Sequence, residues 1–176
     1  MHSTPSGYLL GIGSNINPHD NISQIIRLLL EHFPLLSLSR VLEIPPIGMN
    51  SQHDFLNVVA FIQTEKTELD LKAICNTIEV ELGRDRSDPE RKTKDRSADL
   101  DILITLDLPN DADRPAHLVT DEYFLYPLLD ELIAHLLNEP HQLQQAGVEI
   151  NVGNLTFGQT ATTINRDASA SHKRVL

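Results

Sequence analysis

Apolar runs of two different periods alternate along the first 138 residues, and their order leaves few folds open. Tyr8 to Ile12 is a short apolar strand running into Gly11-Ile12-Gly13-Ser14-Asn15. Over 22–33, Ile22, Ile25, Ile26, Leu29, Leu30 and Phe33 recur at helical spacing, with Asn17 or Asn21 as the cap. Leu36 to Leu42 alternates loosely as a strand, and Pro45-Pro46-Ile47-Gly48 turns it into a loop. Residues 55–64, FLNVVAFIQT, are β-rich. Thr67 caps a second helix, with Leu69, Leu71, Ile74, Ile78 and Leu82 expected on its buried side and Gly83 as its stop. A charged loop at 84–97 leads into a strand at 98–105, a polar linker at 110–115 follows, and a third helix is expected at about 128–138. The order strand-helix-strand-strand-helix-strand, plus a helix, predicts an α+β chain of the ferredoxin-like α/β sandwich type. One domain is expected over 1–176 with its core at about 8–138, an extra strand at 148–152 and a frayed polar tail at 160–176.

The charged loop carries the chemistry. Six of the chain's 14 Lys and Arg residues fall between Arg84 and Arg96: Arg84, Arg86, Arg91, Lys92, Lys94 and Arg96. The chain as a whole has a net charge of −11 and a pI near 5.0, which argues against a general nucleic-acid or membrane binder. This cluster is therefore a local exception. Immediately after it, Asp99 and Asp101 stand at i and i+2 of a strand and so face the same way. Adjacent carboxylates on a rigid strand repel each other unless a cation lies between them, and hard oxygen ligands suit Mg²⁺ completed by waters and phosphates. A bare Asp-x-Asp in a strand reads more readily as a solvated face. The adjoining cations favour metal plus polyphosphate, while an ion-paired surface stays open because Asp85, Asp88, Glu90 and Asp95 dilute the charge.

Other signals are weaker alone. Gly11-x-Gly13-Ser14-Asn15 lacks the full spacing of a dinucleotide or P-loop motif, so it reads as a glycine-rich turn or as room for close approach to the backbone. Asn57 interrupts an apolar strand, and its amide either reads a flat heterocycle or satisfies nearby backbone. Phe55 is an aromatic wall for such a ligand or simply core. The eight histidines show no metal-ligand spacing. The single cysteine, Cys75, allows no intramolecular disulfide and is expected to pack as a small hydrophobe. The opening MHSTPSGYLL lacks a basic start with a long apolar run, and no apolar stretch nears the length of a membrane span. A cytoplasmic protein without membrane or nucleic-acid partners, monomeric or weakly dimeric, is expected.

In order along the chain, six short segments together resemble the 6-hydroxymethyl-7,8-dihydropterin pyrophosphokinase family of folate biosynthesis. They are Gly11-Ile-Gly-Ser-Asn15, Pro45-Pro46-Ile47-Gly48, Asp54-Phe55-Leu56-Asn57, Ile78-Glu79-x-x-Leu82-Gly83-Arg84, Arg96-x-x-Asp99-Leu100-Asp101-Ile102-Leu103 and Leu125-Tyr126-Pro127-Leu128. The resemblance spans about 8–138. It implies transfer of the β,γ-pyrophosphoryl unit of ATP, the co-substrate, to the hydroxymethyl group of the pterin, with AMP released. It also implies that Asp99 and Asp101 hold two Mg²⁺ ions and that Arg84 and Arg96 are the catalytic cations. Asn76, Glu79, Arg86 and Ile102 are implied at the nucleotide. Ile44, Pro45, Ile47, Phe55, Asn57 and Tyr123 are implied at the pterin.

The chain departs from that pattern in several places. It contains no tryptophan, although the family's mobile loop usually carries one, and the loop SDPERKTKD has Lys94-Asp95 where a Gly-Pro usually precedes the arginine. A family Pro-His pair is broken here, with His117 as the nearest histidine, and Asp121 stands where an arginine is expected. Ile44 replaces a common threonine. These departures keep two alternatives open: a relative with a different acceptor, and a pterin- or nucleotide-binding protein without catalysis. A ferredoxin-like RNA-binding module is disfavoured, because such modules stack bases on sheet aromatics and this chain is 5% aromatic and acidic.

Overall fold

The computed structural model describes residues 6–49, 51–91, 93–142 and 145–167. An antiparallel sheet runs in the order β5 (Asp99–Asp107), β1 (Ser6–Ser14), β4 (Phe55–Ile62), β2 (Leu35–Leu38), β8 (Thr162–Asn165), with β3 (Leu42–Ile44) also paired to β4. Helices α1 (Pro18–His32) and α2 (Glu68–Glu81) cover one face, and α3 (Tyr126–Leu136) covers the other. The α+β class expected from the sequence is the one observed. Residues along β4 divide between the two cores, Leu56, Val58, Ala60 and Ile62 toward α1 and α2, Val59 and Phe61 toward α3. Burial on both faces explains its nearly continuous apolar run.

Thr67 caps α2, its Oγ1 accepting from the Asp70 N–H at 3.1 Å. The inner stripe of α2 is Leu71, Cys75 and Ile78; Leu69, expected inside, is 78% exposed because it lies two residues, about 200°, from Leu71. Helix α1 begins at Pro18 rather than near residue 22; Asn17 precedes it at φ 41°, and its side chain makes no capping hydrogen bond. The expected strand 36–42 is split. Ser39 Oγ accepts from the Val59 N–H at 2.9 Å, while the Val41 N–H donates to Gly158 at 2.8 Å, so pairing changes partner between β2 and β3.

The region beyond Pro140 adds to the core, contrary to its polar composition. β6 (Ile150–Val152) and β7 (Leu155–Phe157) form a hairpin whose Ile150, Val152 and Phe157 join the core around α1. The tail expected to fray from Thr160 instead contributes β8, which pairs with β2 from Leu35–Asn165 to Leu38–Thr162; residues 168–176 lie outside the described ones. No helix among the described residues is long and apolar enough to cross a membrane.

Candidate active site

The glycine-rich segment lies inside β1 rather than in the turn after it, and this placement sets the floor of the site. In register, Gly13 pairs with Asn57 of β4 on one side and Asp99 of β5 on the other. Side chains in cross-strand register share a face, so Asn57 and Asp99 are separated only by a glycine, roughly 10 Å apart at ordinary strand spacing. Gly11 is likewise opposite Asp101. A Cβ on Gly13 would lie 2.8 Å from Asn57 Oδ1 and 3.5 Å from the Phe55 ring. Beyond the carboxylates, the register slips by one residue at Leu103, a β-bulge of the kind that re-aims an edge strand.

Asp99 is clamped by two arginines. Its Oδ1 accepts from Arg84 at 2.9 Å and its Oδ2 from Arg96 at 2.9 Å. Beneath them Glu79, only 1% exposed, accepts from Arg84 at 2.7 Å, from Arg86, and from the Leu100 N–H at 2.9 Å. Glu79 was expected at the nucleotide. In the fold its carboxylate is buried and braces Arg84 and Arg86 from behind. Gly83, at φ +99°, ends α2 and turns the chain so that both arginines can fold back onto it.

Asp101 has its carboxyl raised to about 6, first because packed protein strips water from it, then because Asp99 and Glu79 lie near; Arg84 and Arg96 offset this in part. A carboxylate so destabilised gains from a cation. Among the described residues no group of three or more His, Cys, Asp and Glu gathers to hold an ion alone. Asp99 and Asp101 are the carboxylates that could hold a hard divalent ion whose shell is completed by waters and ligand oxygens.

One further cation of the loop is paired within it. Lys94 donates to Asp88 at 2.6 Å, an interaction that lowers the Asp88 carboxyl and raises the Lys94 ammonium from their ordinary values. Lys92 lies outside the described residues. Of the described cations in this loop, Arg84 and Arg96 pair with Asp99, and Arg84 and Arg86 pair with Glu79.

A cavity of about 300 Å³ opens beside Asp99 and Arg96. All six residues expected at the acceptor line it: Ile44, Pro45, Ile47, Phe55, Asn57 and Tyr123. Asn57 is 8% exposed and, among the described residues, its amide makes no hydrogen bond, so its donors and acceptor are available to a ligand there. Sequence reading missed Met49, Glu122 and Phe124 on the same wall, and Asp121 joins them. Glu122 stands at the exposed rim with its carboxyl raised by lost water, then by Asp101 and Asp99. Asn76 and Ile102 are half-buried and do not line the cavity, nor does the exposed His117.

Cys75, 1% exposed, has its thiol pushed up to about 12 by burial and then by Glu79 and Asp101. It is expected to resist a thiol-specific reagent at pH 8 in the folded protein and to react promptly after denaturation. Stoichiometric labelling of the native chain would contradict that environment.

A family model described as 7,8-dihydro-6-hydroxymethylpterin-pyrophosphokinase (HPPK) matches residues 9–133. Three relatives are each named 2-amino-4-hydroxy-6-hydroxymethyldihydropteridine pyrophosphokinase. The Porphyromonas gingivalis protein is 37% identical over 97 residues, 54% of this chain and 66% of that protein. The Bacillus subtilis protein is 35% identical over 98 residues, 54% of this chain and 57% of its own length. The Pseudomonas aeruginosa protein is 33% identical over 129 residues, 69% of this chain and 77% of that protein. The chain thus spans just under two thirds, or less, of the first two relatives it matches. The matched span of the family model takes in most of β1, the residues lining the cavity, Glu79, the arginines and both carboxylates, and the chain belongs to the 7,8-dihydro-6-hydroxymethylpterin-pyrophosphokinase family.

Proposed function

We propose that this protein transfers the β,γ-pyrophosphoryl unit of ATP to the hydroxymethyl group of 6-hydroxymethyl-7,8-dihydropterin and releases AMP. The single observation that carries this reading is the row Asn57–Gly13–Asp99 across three neighbouring strands. It sets a heterocycle-reading amide and a cation-binding carboxylate on one floor, with the cavity above. The strand order β5-β1-β4-β2, with α1 and α2 on one face, supports a ferredoxin-like α/β sandwich as the frame.

In this reading the pterin lies between Phe55 and Tyr123, beside the backbone of 44–47, and Asn57 pairs with its edge. Asp99 and Asp101 would hold two Mg²⁺ ions, which would supply charge neutralisation to the triphosphate. Asn76, Arg86 and Ile102 stand on the nucleotide side, with Arg86 braced by Glu79. The acceptor's hydroxyl oxygen forms a bond to the β-phosphorus as the bond from that phosphorus to the α-bridging oxygen breaks. AMP departs with the bridging oxygen, and the hydroxyl proton passes to solvent. Arg84 and Arg96, already aimed by Glu79 and Asp99, stabilise the charge that spreads over the transferring group without reorganising at the moment of reaction. In this reading the protein acts in the cytoplasm as a monomer or weak dimer.

The test is incubation with Mg-ATP and the hydroxymethyl pterin, with nucleotides separated by chromatography. AMP is the expected product. ADP in its place would overturn the reading, and thermal stabilisation by the pterin without AMP release would mark a binding protein instead. Asp121 and Glu122 on the cavity wall favour a second reading, an acceptor with additional N–H donors or positive charge, which a panel of pterins in the same assay would expose. Gly13→Ala is expected to raise the acceptor KM by roughly tenfold, the worth of about one hydrogen bond, because the new Cβ displaces the Asn57 amide. An unchanged KM would remove Asn57 from acceptor recognition.

A further inference from the structure

Asp95 immediately precedes Arg96, at a position where the family pattern has proline, and it joins three segments that are distant in sequence. Its Oδ1 accepts from Asn15 Nδ2 at 2.9 Å and from the Ser51 hydroxyl, and its Oδ2 lies 3.8 Å from His53 Nε2. Asn15, 3% exposed at the end of β1, completes the junction. Its Oδ1 accepts from the Arg96 N–H at 2.6 Å, its own N–H donates to the Arg96 carbonyl at 2.9 Å, and its Nδ2 also donates to the His53 carbonyl at 3.2 Å. The Ser51 hydroxyl in turn accepts from the His53 N–H at 3.1 Å.

One carboxylate thus holds the loop that carries the acceptor wall, whose Ile44, Ile47 and Phe55 line the cavity, against the backbone of the arginine paired to Asp99. We infer that Asp95 is a positioning residue that couples seating of the acceptor loop to placement of Arg96. Filling the cavity and aiming the cation become one event. The inference rests on the pyrophosphoryl-transfer reading for its consequence in turnover, but the junction itself can be tested without turnover.

Amide hydrogen exchange of the ligand-free protein provides that test. Asp95→Ala is expected to speed exchange at His53 and Arg96 by roughly tenfold or more, with protection in β4 unchanged. Asp95→Asn keeps an oxygen acceptor for Asn15 and Ser51, and is expected to change exchange by about threefold or less. In the AMP assay Asp95→Ala should lower kcat by roughly ten- to a hundredfold, the scale of a misplaced catalytic group, with the ATP KM within about threefold; Asp95→Asn should restore most of the rate. Unchanged exchange at both sites, or acceleration spread evenly through the sheet, overturns the inference, as does a loss confined to KM. Absence of AMP from the unaltered protein counts against pyrophosphoryl transfer alone, because the exchange result still decides the junction.

Discussion

Asp99→Asn is expected to lower the rate of AMP formation by roughly three orders of magnitude while the protein stays folded. Both oxygens of Asp99 are engaged, one by Arg84 and one by Arg96, and the residue forms part of the cavity wall. In the proposed reading, replacement by the amide removes the charge from the point where the cation ligands, the catalytic arginines and the acceptor meet. A single preorganised contact of this kind is worth about a hundred- to a thousandfold in kcat, and loss of a cation ligand at the same point adds to it. The fold should tolerate the change. Arg84 keeps its 2.7 Å pairing with Glu79, and the amide retains an oxygen that accepts from one arginine. AMP release at saturating Mg-ATP, followed beside a thermal melt, separates loss of chemistry from loss of structure. Residual activity should need more Mg²⁺ for half-saturation than the unaltered enzyme does. Turnover equal to that of the unaltered protein would sink the assignment of Asp99 to the cation.

What could be read from the sequence was what sequence spacing alone determines. Asp99 and Asp101 share a face because they are two residues apart on a strand, Thr67 caps α2 because its hydroxyl reaches three residues ahead, and Phe55 to Ile62 is a strand of apolar residues interrupted only by Asn57. The resemblance, rather than spacing, put Ile44, Pro45, Ile47, Phe55, Asn57 and Tyr123 at the acceptor, and all six line one cavity. What escaped depends on pairings between distant residues. Nothing local marks Glu79 as buried, for a glutamate on an amphipathic helix ordinarily points to water; its burial follows from two arginines in the next segment folding back onto it. Asp95 looked like a diluting charge in a basic loop, and only the fold brings Asn15 and Ser51 to it. The polar stretch 162–165 pairs with β2 because an open sheet edge offers backbone groups to any strand that reaches it, whatever its side chains.

The same blindness to distant partners hid the buried pair on which the largest stability effect is expected. Arg40 Nε lies 2.8 Å from Glu131 Oε2, with the two side chains only 8% and 3% exposed. Glu131 Oε1 also accepts from the Arg40 N–H at 3.0 Å, and Arg40 Nη1 reaches the Gln145 carbonyl at 3.0 Å. Glu131→Ala is expected to destabilise the protein by about 3–5 kcal/mol, because it leaves a guanidinium buried without its counter-charge. For a chain of this length that is a Tm lower by roughly 10–15 °C on a calorimetric scan. The cost belongs to the abandoned charge rather than to the attraction it lost, so a double variant discriminates. Arg40→Met with Glu131→Leu should regain most of the loss, but remain about 1–3 kcal/mol short, since the Arg40 N–H still lacks its acceptor. A drop of less than about 2 °C in the single variant would mean the pair behaves as a solvated surface bridge. Arg40 lies two residues before β3, whose Ile44 begins the acceptor wall, so Glu131→Ala should also raise the acceptor KM at temperatures where the fold persists. Destabilisation without that change in KM would confine the pair to stability and detach it from the site.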